Sequence, residues 1–399
     1  MKREDVCQCI RSGDERLDRV IGDAIGKSEV EIVKVATRRV ERGVLSAVFK
    51  VDITLQDDSA PLRWILKICR DDLDIRWMFR KEKIFYTAFG PNVAPEELPF
   101  RLAKSISSSE EHIILDFVDN AICHDLLGGC PENKVSFLIH AMACWHAQCW
   151  GLDSPVLKED DLENSPPGIG QRLLPMQKEY LFASKWRDVV DQMIFGIDVS
   201  LKEFATQLCC KMENLKLRQI HHIVHNRKVT VIHGDYHIEN WLFPSDGSKP
   251  VLVDWTAWGY GNPMVDLAFF FVVGSNKDVI SNHRYWVQQY IESLVKSNPK
   301  IDRSEVSSVR EWLVWALLCQ WMVLVCFDEK CRAIAGAEHD ESKRKALLEH
   351  FNRVNIRALM CLRETGCLEM LKQIPNVTIE ERKEAKQVSD LTPLSLEGA

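Results

Sequence analysis

The chain has 399 residues, of which 46% are hydrophobic and 27% are charged, and its formal net charge is -7 at pH 7. This length exceeds what one ordinary hydrophobic core organises and favours two lobes. The net negative charge argues against nucleic-acid binding through a broad basic surface. The composition is typical of a folded globular protein and excludes disordered and fibrous classes.

The first twenty residues, MKREDVCQCIRSGDERLDRV, are charged and lack the apolar segment of a secretory signal. The longest apolar run, residues 312–327, is interrupted by Gln320 and is too short to cross a bilayer, so it predicts a buried helix. We therefore expect a cytoplasmic protein without a membrane span. The 14 cysteines include no CxxC pair, which argues for reduced, buried thiols and against a zinc or redox motif.

Strand patterns dominate residues 34–69. The segment KVATRRVERGVLSAVFKVDITL predicts two strands separated by a turn near Gly43, and LRWILKICR predicts a third. From Asp74 the apolar residues follow helical spacing up to the GPN sequence at 90–92, where we expect the helix to end. The segment EEHIILDFVDN predicts a further strand.

Helical patterns dominate the rest of the chain. VSFLIHAMACWHAQCWG predicts a helix, ENSPPGIG predicts a loop, and residues 175–225 are amphipathic in pieces. Strand, loop and strand return at 231–243, VLVDW predicts another strand, and helices follow from Pro263 to Leu371. The pattern predicts an α+β protein with a strand-rich N-terminal lobe (1–117), a larger helical C-terminal lobe (118–375) and a flexible tail (376–399).

The stretch VIHGDYHIENWLF, residues 231–243, places ionisable side chains between two apolar segments. A solvated hairpin loop is the simplest explanation. However, His233, Asp235 and Asn240 reproduce the H-x-D-x-x-x-x-N spacing of a kinase catalytic loop, and Asp254 follows at the end of an apolar strand. Phosphoryl transfer needs a carboxylate near the attacking hydroxyl, a role that suits Asp235, and oxygen ligands for magnesium, a role that suits Asn240 and Asp254.

Two charged residues upstream complete this interpretation. Lys67 interrupts the apolar strand WILKI, and Glu82 falls on the apolar face of the helix that follows. Taken singly, they are an edge-strand lysine and a solvated helix glutamate. Taken together, they predict an ion pair that directs Lys67 at nucleotide phosphates, because a buried charge requires a partner of opposite sign.

HGDYHIEN and VLVDWTAWGYGNPMVDLAFF resemble the two signature segments of the aminoglycoside phosphotransferase and choline kinase superfamily, and CWHAQCW resembles its helix with a His-Ala pair. The spacing indicates the ecdysteroid-kinase-like subgroup. The resemblance spans roughly residues 40–330 and implies a two-lobe protein-kinase-like fold that uses ATP and Mg²⁺.

The same resemblance implies roles for individual residues. Asp235 is the catalytic base, Asn240 and Asp254 are magnesium ligands, and Lys67 contacts phosphate with Glu82 as its partner. Two further residues are structural: His233, and Asp266, which braces the loop.

The nucleotide loop departs from the protein-kinase pattern. Gly43 stands where protein kinases have a glycine series, so the phosphate clamp would rest on nearby backbone amides and the Ser46 hydroxyl. We expect the hinge near Asp116–Asn120, where the backbone of Phe117 and Val118 would contact adenine.

The acceptor side is less specific. Aromatic residues follow Asp254 where many choline-kinase-like relatives carry a glutamine. Because glycines flank these aromatic residues, we expect them to escape complete burial, and we expect Trp258 or Tyr260 to form part of a pocket wall for an acceptor with a large apolar body or a quaternary ammonium group. His237 either lines the acceptor side or faces water.

Other histidines predict less chemistry. His221 and His225 are one helical turn apart, but no third metal ligand is evident. His140 and His146 lie on an apolar helix and are expected to be packed or hydrogen-bonded.

These motifs predict an ATP- and Mg²⁺-dependent kinase that acts on a hydroxyl of a small molecule. The alternative is a pseudokinase, a nucleotide-binding or scaffold module without turnover. A protein kinase is disfavoured because no segment ending in A-P-E follows VDW. The acceptor and the oligomeric state stay open.

Overall fold

The computed structural model of the chain describes residues 15–25, 32–40, 46–55, 61–69, 76–93, 96–126, 129–152, 198–212, 224, 229–302, 304, 306, 308–336 and 341–372. The predicted loop at 163–170, most of the region at 175–225 and the predicted tail at 376–399 lie outside these residues.

Contacts within the chain define two compact units. The strand unit comprises Met1–Ile122 and Leu242–Thr256, and the helical unit comprises Cys123–Trp241 and Ala257–Gly398. The segment that ends with Asp254 and Thr256 is therefore part of the same unit as the N-terminal strands. The predicted lobe boundaries at residues 117 and 375 stay a prediction.

Eleven short or medium strands occur in the described residues. They are β1 (Ile32–Val40), β2 (Ser46–Leu55), β3 (Leu62–Cys69), β4 (Arg101–Leu102), β5 (Ser105–Ser108), β6 (His112–Asp116), β7 (Ala121–Cys123), β8 (Thr230–Ile232), β9 (Trp241–Pro244), β10 (Val251–Leu252) and β11 (Gly259–Gly261). The predicted strands in residues 34–69, 110–120, 231–243 and 251–255 are confirmed. The additional strands β4, β5, β7 and β11 have two to four residues, too few to show a period.

The strand unit is built on a five-stranded sheet with the order β1-β2-β3-β6-β5. Its neighbouring strands are antiparallel, and Lys67 of β3 pairs with Val48 of β2 and Ile113 of β6. A four-stranded sheet has the order β4-β10-β9-β7, and in it β4 and β10 are parallel.

The N-terminal helix α1 (Glu15–Ile25) contributes to the core of this unit, although its charged sequence was not predicted to be helical. The core cluster contains Val20, Ile21, Ala24, Val35, Val51, Ile53, Trp64, Leu66, Ile68 and Ile114. Because side chains alternate along a strand, this burial of Leu66 and Ile68 directs Lys67 to the opposite face of the sheet.

The remaining described helices are α2 (Arg76–Ile84), α3 (Gly90–Val93), α4 (Glu132–Gln148), α5 (Val199–Met212), α6 (Met264–Phe269), α7 (Lys277–Ser281), α8 (His283–Ser297), α9 (Val309–Gly336), α10 (Glu341–Glu364) and α11 (Cys367–Leu371). π-Helical turns at Phe85–Phe89 and Phe270–Gly274 extend α2 and α6.

The expected helix end at GPN is matched to within one residue, because helical backbone includes Gly90–Val93 and the described helix ends at Val93. Gly90 has right-handed helical dihedrals and its N–H donates to Phe85 O, so the π-helical turn continues directly into α3.

In the helical unit, α4 packs against α8, α9 packs against α6 and α10, and α10 also contacts the turn Phe270–Gly274. The apolar run at 312–327 lies in α9, and most of its described side chains are buried, as predicted. None of the helices in the described part of the chain combines the length and apolar character that crossing a bilayer requires.

The polar stretch at 233–240 follows β8, which pairs with β11 so that Ile232 lies opposite Gly259. The loop turns at Gly234, where φ is +80°, and ends in a 3₁₀ turn over Ile238–Asn240. A Cβ atom at residue 234 would collide with the Ala257 carbonyl oxygen. Glycine is therefore required here for its positive φ and for the close approach of two backbone segments.

Gly234→Ala should lower the free energy of unfolding by about 3 kcal/mol or more, because it adds a backbone collision to the strain of a positive φ. Gly247 is the matched control, since its φ is +81° and no atom lies within 4 Å of a Cβ built on it. Gly247→Ala should cost only about 1 kcal/mol. Urea denaturation of the two variants measures the difference, and equal losses would contradict the role assigned to Ala257.

Candidate functional site

In the strand unit, Lys67 is held between two carboxylates. Its Nζ donates to Glu82 Oε2 at 3.0 Å and to Asp254 Oδ1 at 2.7 Å. The predicted ion pair of Lys67 and Glu82 is confirmed, and Asp254 is a further partner that the sequence did not predict. The ammonium is 5.8 Å from the centre of the Phe79 ring, which adds a favourable cation–π contact.

Burial and charge compete in this cluster. Burial lowers the pKa of Lys67, but Asp254 and Glu82 raise it, and the net pKa shift is upward. Burial raises the pKa of Glu82 to about 7, against the opposing effect of Lys67. The two neighbouring carboxyl groups therefore stabilise the positive charge of Lys67. One of them, that of Glu82, is almost completely buried, with a side chain 1% exposed.

Asp254 has an unusual backbone conformation for a residue other than glycine. Its φ is +64°, in the left-handed region, which costs about 1 kcal/mol or more and is concentrated at functional positions. Thr256 Oγ1 donates to Asp254 Oδ1 at 2.9 Å. The Asp254 side chain is 36% exposed. Its carboxylate is therefore accessible to a metal ion, unlike the carboxylate of Glu82.

Aromatic packing positions the segment that follows Asp254. Trp255 stacks on Phe85 with ring centres 3.9 Å apart and an interplanar angle of 10°, and its Nε1 donates to Leu252 O at 3.3 Å. A backbone hydrogen bond from Trp255 also lowers the pKa of Glu82. The segment is thus attached to the helix that carries Glu82 by both packing and hydrogen bonding.

The other residues predicted to contact the nucleotide are placed as follows. Gly43 lies outside the described residues, and Ser46, the first residue of β2, is buried. The Phe117 N–H donates to Arg63 O at 3.1 Å, so this amide is already used within the strand unit. Val118 is buried. The assignment of all four residues to nucleotide binding stays a prediction.

In the helical unit, the loop is braced by the buried carboxylate of Asp266. Oδ2 accepts from the His233 N–H at 2.8 Å, and Oδ1 accepts from the Gly234 N–H at 2.7 Å. Asp266 lies in α6, 32 residues from Gly234 along the chain. These bonds are the bracing that the family resemblance implies.

His146 connects this carboxylate to two helices. Its Nε2 is 3.1 Å from Asp266 Oδ2, and its Nδ1 is 2.8 Å from the hydroxyl of Tyr290. A carboxylate only accepts, so Nε2 carries the proton and Nδ1 accepts from the phenol. Burial, together with Asp266, raises the pKa of Tyr290 well above its usual value and keeps the phenol protonated.

The prediction that His146 and His140 are hydrogen-bonded structural residues is confirmed, with His140 Nδ1 lying 3.1 Å from Ser293 Oγ. The role of Tyr290 was missed, because one tyrosine on an amphipathic helix carries no distinguishing sequence signal.

Asp235 and Asn240 contact each other across the loop. Asn240 Nδ2 donates to the Asp235 backbone O at 2.8 Å and to its Oδ2 at 3.1 Å. These bonds orient the amide so that its nitrogen faces Asp235 and its oxygen points away. The Asp235 N–H donates to His233 Nδ1 at 3.2 Å, and the structural role of His233 stays a prediction.

His237 borders both of these residues. Its Nε2 lies 3.4 Å from Asp235 Oδ1 and 3.3 Å from Asn240 Nδ2, and its ring stacks on Phe269. His237 is buried, so of the two alternatives that the sequence leaves open, the fully solvated one is wrong. Contact with an acceptor stays a prediction.

The expectation that Trp258 escapes burial was wrong, since its side chain is fully buried. The flanking glycine that was expected to leave the ring exposed belongs to β11, whose pairing with β8 buries this segment. Trp258 is therefore packed within the helical unit, and its contact with an acceptor stays a prediction. Tyr260 is partly exposed and is retained as a prediction.

The described residues contain no cluster of three side chains suited to a metal site. His221 and His225 lie outside the described residues. Seven of the ten described cysteines are buried, in agreement with the prediction of buried cysteine side chains.

A comparison with protein families found one match, to a segment of the chain. Residues 132–302 match the ecdysteroid kinase-like family. The matched segment covers less than half of the chain and contains the loop at 233–240, Asp254 and Asp266. The match confirms the predicted resemblance to ecdysteroid-kinase-like proteins. No protein of curated function matches the chain.

Solved structures provide a second comparison. The chain is similar to the choline kinase from Cryptosporidium parvum Iowa II, with a TM-score of 0.50, 12% identity and coverage of 91% of this chain and 98% of that chain. At this identity the likeness concerns the fold alone, and it confirms the predicted kinase-like α+β fold.

Two further structures are similar at lower scores. A Plasmodium vivax ethanolamine kinase has a TM-score of 0.46 and 11% identity, with 85% of this chain and 89% of that chain covered. An ADP-bound aminoglycoside phosphotransferase has a TM-score of 0.46 and 12% identity, with 86% of this chain and 99% of that chain covered.

Lys67→Met should raise the pKa of Glu82 above 7, because Lys67 is the group that lowers it. A carboxyl whose pKa is higher in the folded than in the unfolded state contributes stability at low pH and loses it as the pH rises through the folded pKa. As the pH rises, titration of Glu82 should therefore lower the unfolding free energy of the wild type only up to about pH 7. In Lys67→Met the same titration should continue to lower the unfolding free energy above pH 7.

Urea denaturation between pH 5 and 9 measures this difference, which we expect to reach about 3 kcal/mol at the upper end. Adding Glu82→Gln to Lys67→Met is the control, since it removes the titrating group and should flatten the curve. A steep fall that persists in the double variant would contradict the assignment to Glu82.

Asp266→Asn should lower the free energy of unfolding by about 2–4 kcal/mol, because an amide NH₂ then faces a donor from the loop or from His146. Asp278→Asn, at an exposed position of α7, is the matched control and should change stability by less than about 0.5 kcal/mol. Thermal or urea unfolding of both variants provides the measurement, and equal effects would remove Asp266 from its bracing role.

Proposed function

We propose that this chain is an ATP- and Mg²⁺-dependent phosphotransferase that moves the γ-phosphate to a hydroxyl of a small molecule, with Asp235 as the catalytic base. The observation that carries the proposal is the position of Lys67, whose ammonium is held by Glu82 and Asp254 at 3.0 and 2.7 Å. A cation fixed in this way on a rigid strand is suited to binding phosphate, because its orientation is set before the ligand arrives.

The residues proposed for the metal fit an oxygen-binding cation. The Asp254 side chain is 36% exposed and anionic oxygen is the donor that Mg²⁺ prefers. Asn240 turns its amide nitrogen toward Asp235, which leaves the carbonyl oxygen for a ligand. Bound Mg²⁺ would neutralise the charge of the nucleotide phosphates.

Asp235 is suited to accept a proton from the acceptor hydroxyl. Asn240 donates to its Oδ2, and His237 lies 3.4 Å from its Oδ1, so both oxygens are oriented by the loop itself. Since Asp266 fixes the amides of His233 and Gly234, the position of Asp235 depends on a buried network rather than on a mobile side chain.

The comparisons support the class of the reaction. The family matched by residues 132–302 is named for ecdysteroid kinases, and the choline kinase with the same fold acts on a small molecule. Both favour a small-molecule acceptor over a protein. A pseudokinase would share the fold without turnover, so the test has to measure phosphate transfer.

The primary experiment is a metabolite-library screen for ATP consumption, followed by mass detection of the phosphorylated product. Asp235→Asn should bind nucleotide and lose about 10² to 10⁴ in turnover, the usual contribution of a general base. The amide preserves the shape of the side chain and can still accept from Asn240, so folding should be unchanged.

Asp246→Asn is the matched control, because Asp246 is exposed in a surface turn where it accepts from the Ser248 N–H. It should retain full turnover. Nucleotide binding without phosphate transfer to any acceptor would support the pseudokinase, and turnover that survives in Asp235→Asn would remove Asp235 from the role of base.

A further inference from the structure

Helix α10 presents a basic face formed by His350, Arg353 and Arg357. Their spacing of three and then four residues places them along one side of the helix. His350 and Arg357 are half-buried, and Arg353 is exposed.

The basic face is connected to the loop that carries Asp235 through the π-helical turn Phe270–Gly274. Arg357 Nη1 donates to Val273 O at 2.8 Å. The next residue, Gly274, lies against the loop, since a Cβ built on it would be 3.4 Å from His237 Cβ. His237 Nε2 in turn is 3.4 Å from Asp235 Oδ1. All of these residues belong to the helical unit.

Asp125 is the carboxylate that acts on the basic face, and it acts on His350. No ion pair joins Arg353 or Arg357 to a carboxylate of the described residues, and Arg357 uses one of its donors for the backbone carbonyl of Val273. Burial lowers the pKa of Arg357, and the charge of Arg353 lowers it further. Two guanidinium groups that repel each other beside a half-buried surface favour an anionic partner.

His350 adds an unused polar atom to this surface. Its Nδ1 is buried and has no hydrogen-bond partner among the described residues. Burial lowers the pKa of His350 to about 4, and Arg357, Arg353 and His237 contribute, whereas Asp125 opposes. The imidazole is neutral at pH 7, so it can present either a donor or an acceptor to a ligand.

We propose that the basic face binds an anionic group of the acceptor, so that the substrate is an acidic alcohol: a hydroxyl-bearing small molecule with a carboxylate, sulfate or phosphate group. This inference rests on the proposed phosphotransferase function and deepens it. A cationic acceptor such as a quaternary ammonium compound is disfavoured, because two arginines would repel it. The anion is distinct from the nucleotide phosphates, which the strand unit binds through Lys67.

Binding of inorganic sulfate, measured by calorimetry against an equal ionic strength of sodium chloride, tests the site without any turnover. The wild type should bind sulfate, and Arg353→Gln and Arg357→Gln should each weaken binding about 10-fold or more. Arg357→Lys keeps the charge and should lose less. Lys345→Gln, which removes an exposed charge elsewhere on α10, is the matched control and should not change binding.

Lys67→Met distinguishes sulfate bound at the basic face from sulfate bound at the position proposed for the nucleotide phosphates. Sulfate binding to the basic face should persist in this variant, whereas binding at the nucleotide phosphates' position should disappear. NMR of the His350 imidazole supplies an independent readout, because a bound anion should raise its pKa. Sulfate binding that is abolished by Lys67→Met and unaffected by the arginine variants would overturn the proposal.

Turnover provides the substrate-level test. Among acceptors found by ATP consumption, Arg353→Gln should lower kcat/KM about 10-fold or more for acidic alcohols and leave the KM for ATP unchanged. If only neutral or cationic acceptors are phosphorylated, the basic face is not the specificity site and the proposal fails while the phosphotransferase function stands. If no acceptor is turned over but sulfate binds as described, the phosphotransferase function fails and the anion site stands.

Discussion

A carboxylate that is removed from water has to regain hydrogen bonds from the protein, and in the helical unit Asp266 regains them from three donors. Two of the donors are consecutive backbone amides of the loop at 233–240, and the third is the imidazole of His146. Asp266 therefore determines the loop conformation and the tautomer of His146 together. The tautomer in turn determines that the Tyr290 hydroxyl donates to His146. Since the 3₁₀ turn that carries Asn240 follows directly, the contact between Asn240 and Asp235 depends on the same carboxylate.

In the strand unit the buried charge is positive, and the Lys67 ammonium on β3 has to be stabilised by carboxylates. Lys67 faces away from the apolar core that α1 completes, and it is held by one buried and one partly exposed carboxylate. The difference in exposure separates the two partners chemically. Burial raises the pKa of Glu82 to about 7, so Glu82 is suited to position the lysine, whereas the accessible Asp254 is suited to bind a cation. The positive φ of Asp254 indicates that packing of Trp255 on Phe85 stabilises a backbone conformation that is locally unfavourable.

Acceptor recognition is the part of the interpretation that the structure changed most. Aromatic residues after Asp254 suggested an apolar wall, but Trp258 is buried by the strand pair β8 and β11. The helix α10, far along the chain, instead brings arginines toward the loop through a bond from Arg357 to Val273 O. Two arginines that form no ion pair with a carboxylate of the described residues favour an anionic ligand, which an aromatic wall would not select.

The amino-acid sequence determined the strands β1 to β3, helix α4, the helices after Pro263 and the order of His233, Asp235 and Asn240. These features depend on spacing between near neighbours, which the period of a strand or helix makes visible. The sequence also determined the pair of Lys67 and Glu82, because each charge interrupts an apolar pattern. Tertiary structure decided the rest: α1 as part of the core, Asp254 as a second partner of Lys67, Tyr290 as a partner of His146, the burial of Trp258, and the proximity of Arg357 to the loop. Such contacts join positions up to 187 residues apart, and they depend on how whole elements pack, which no local period encodes.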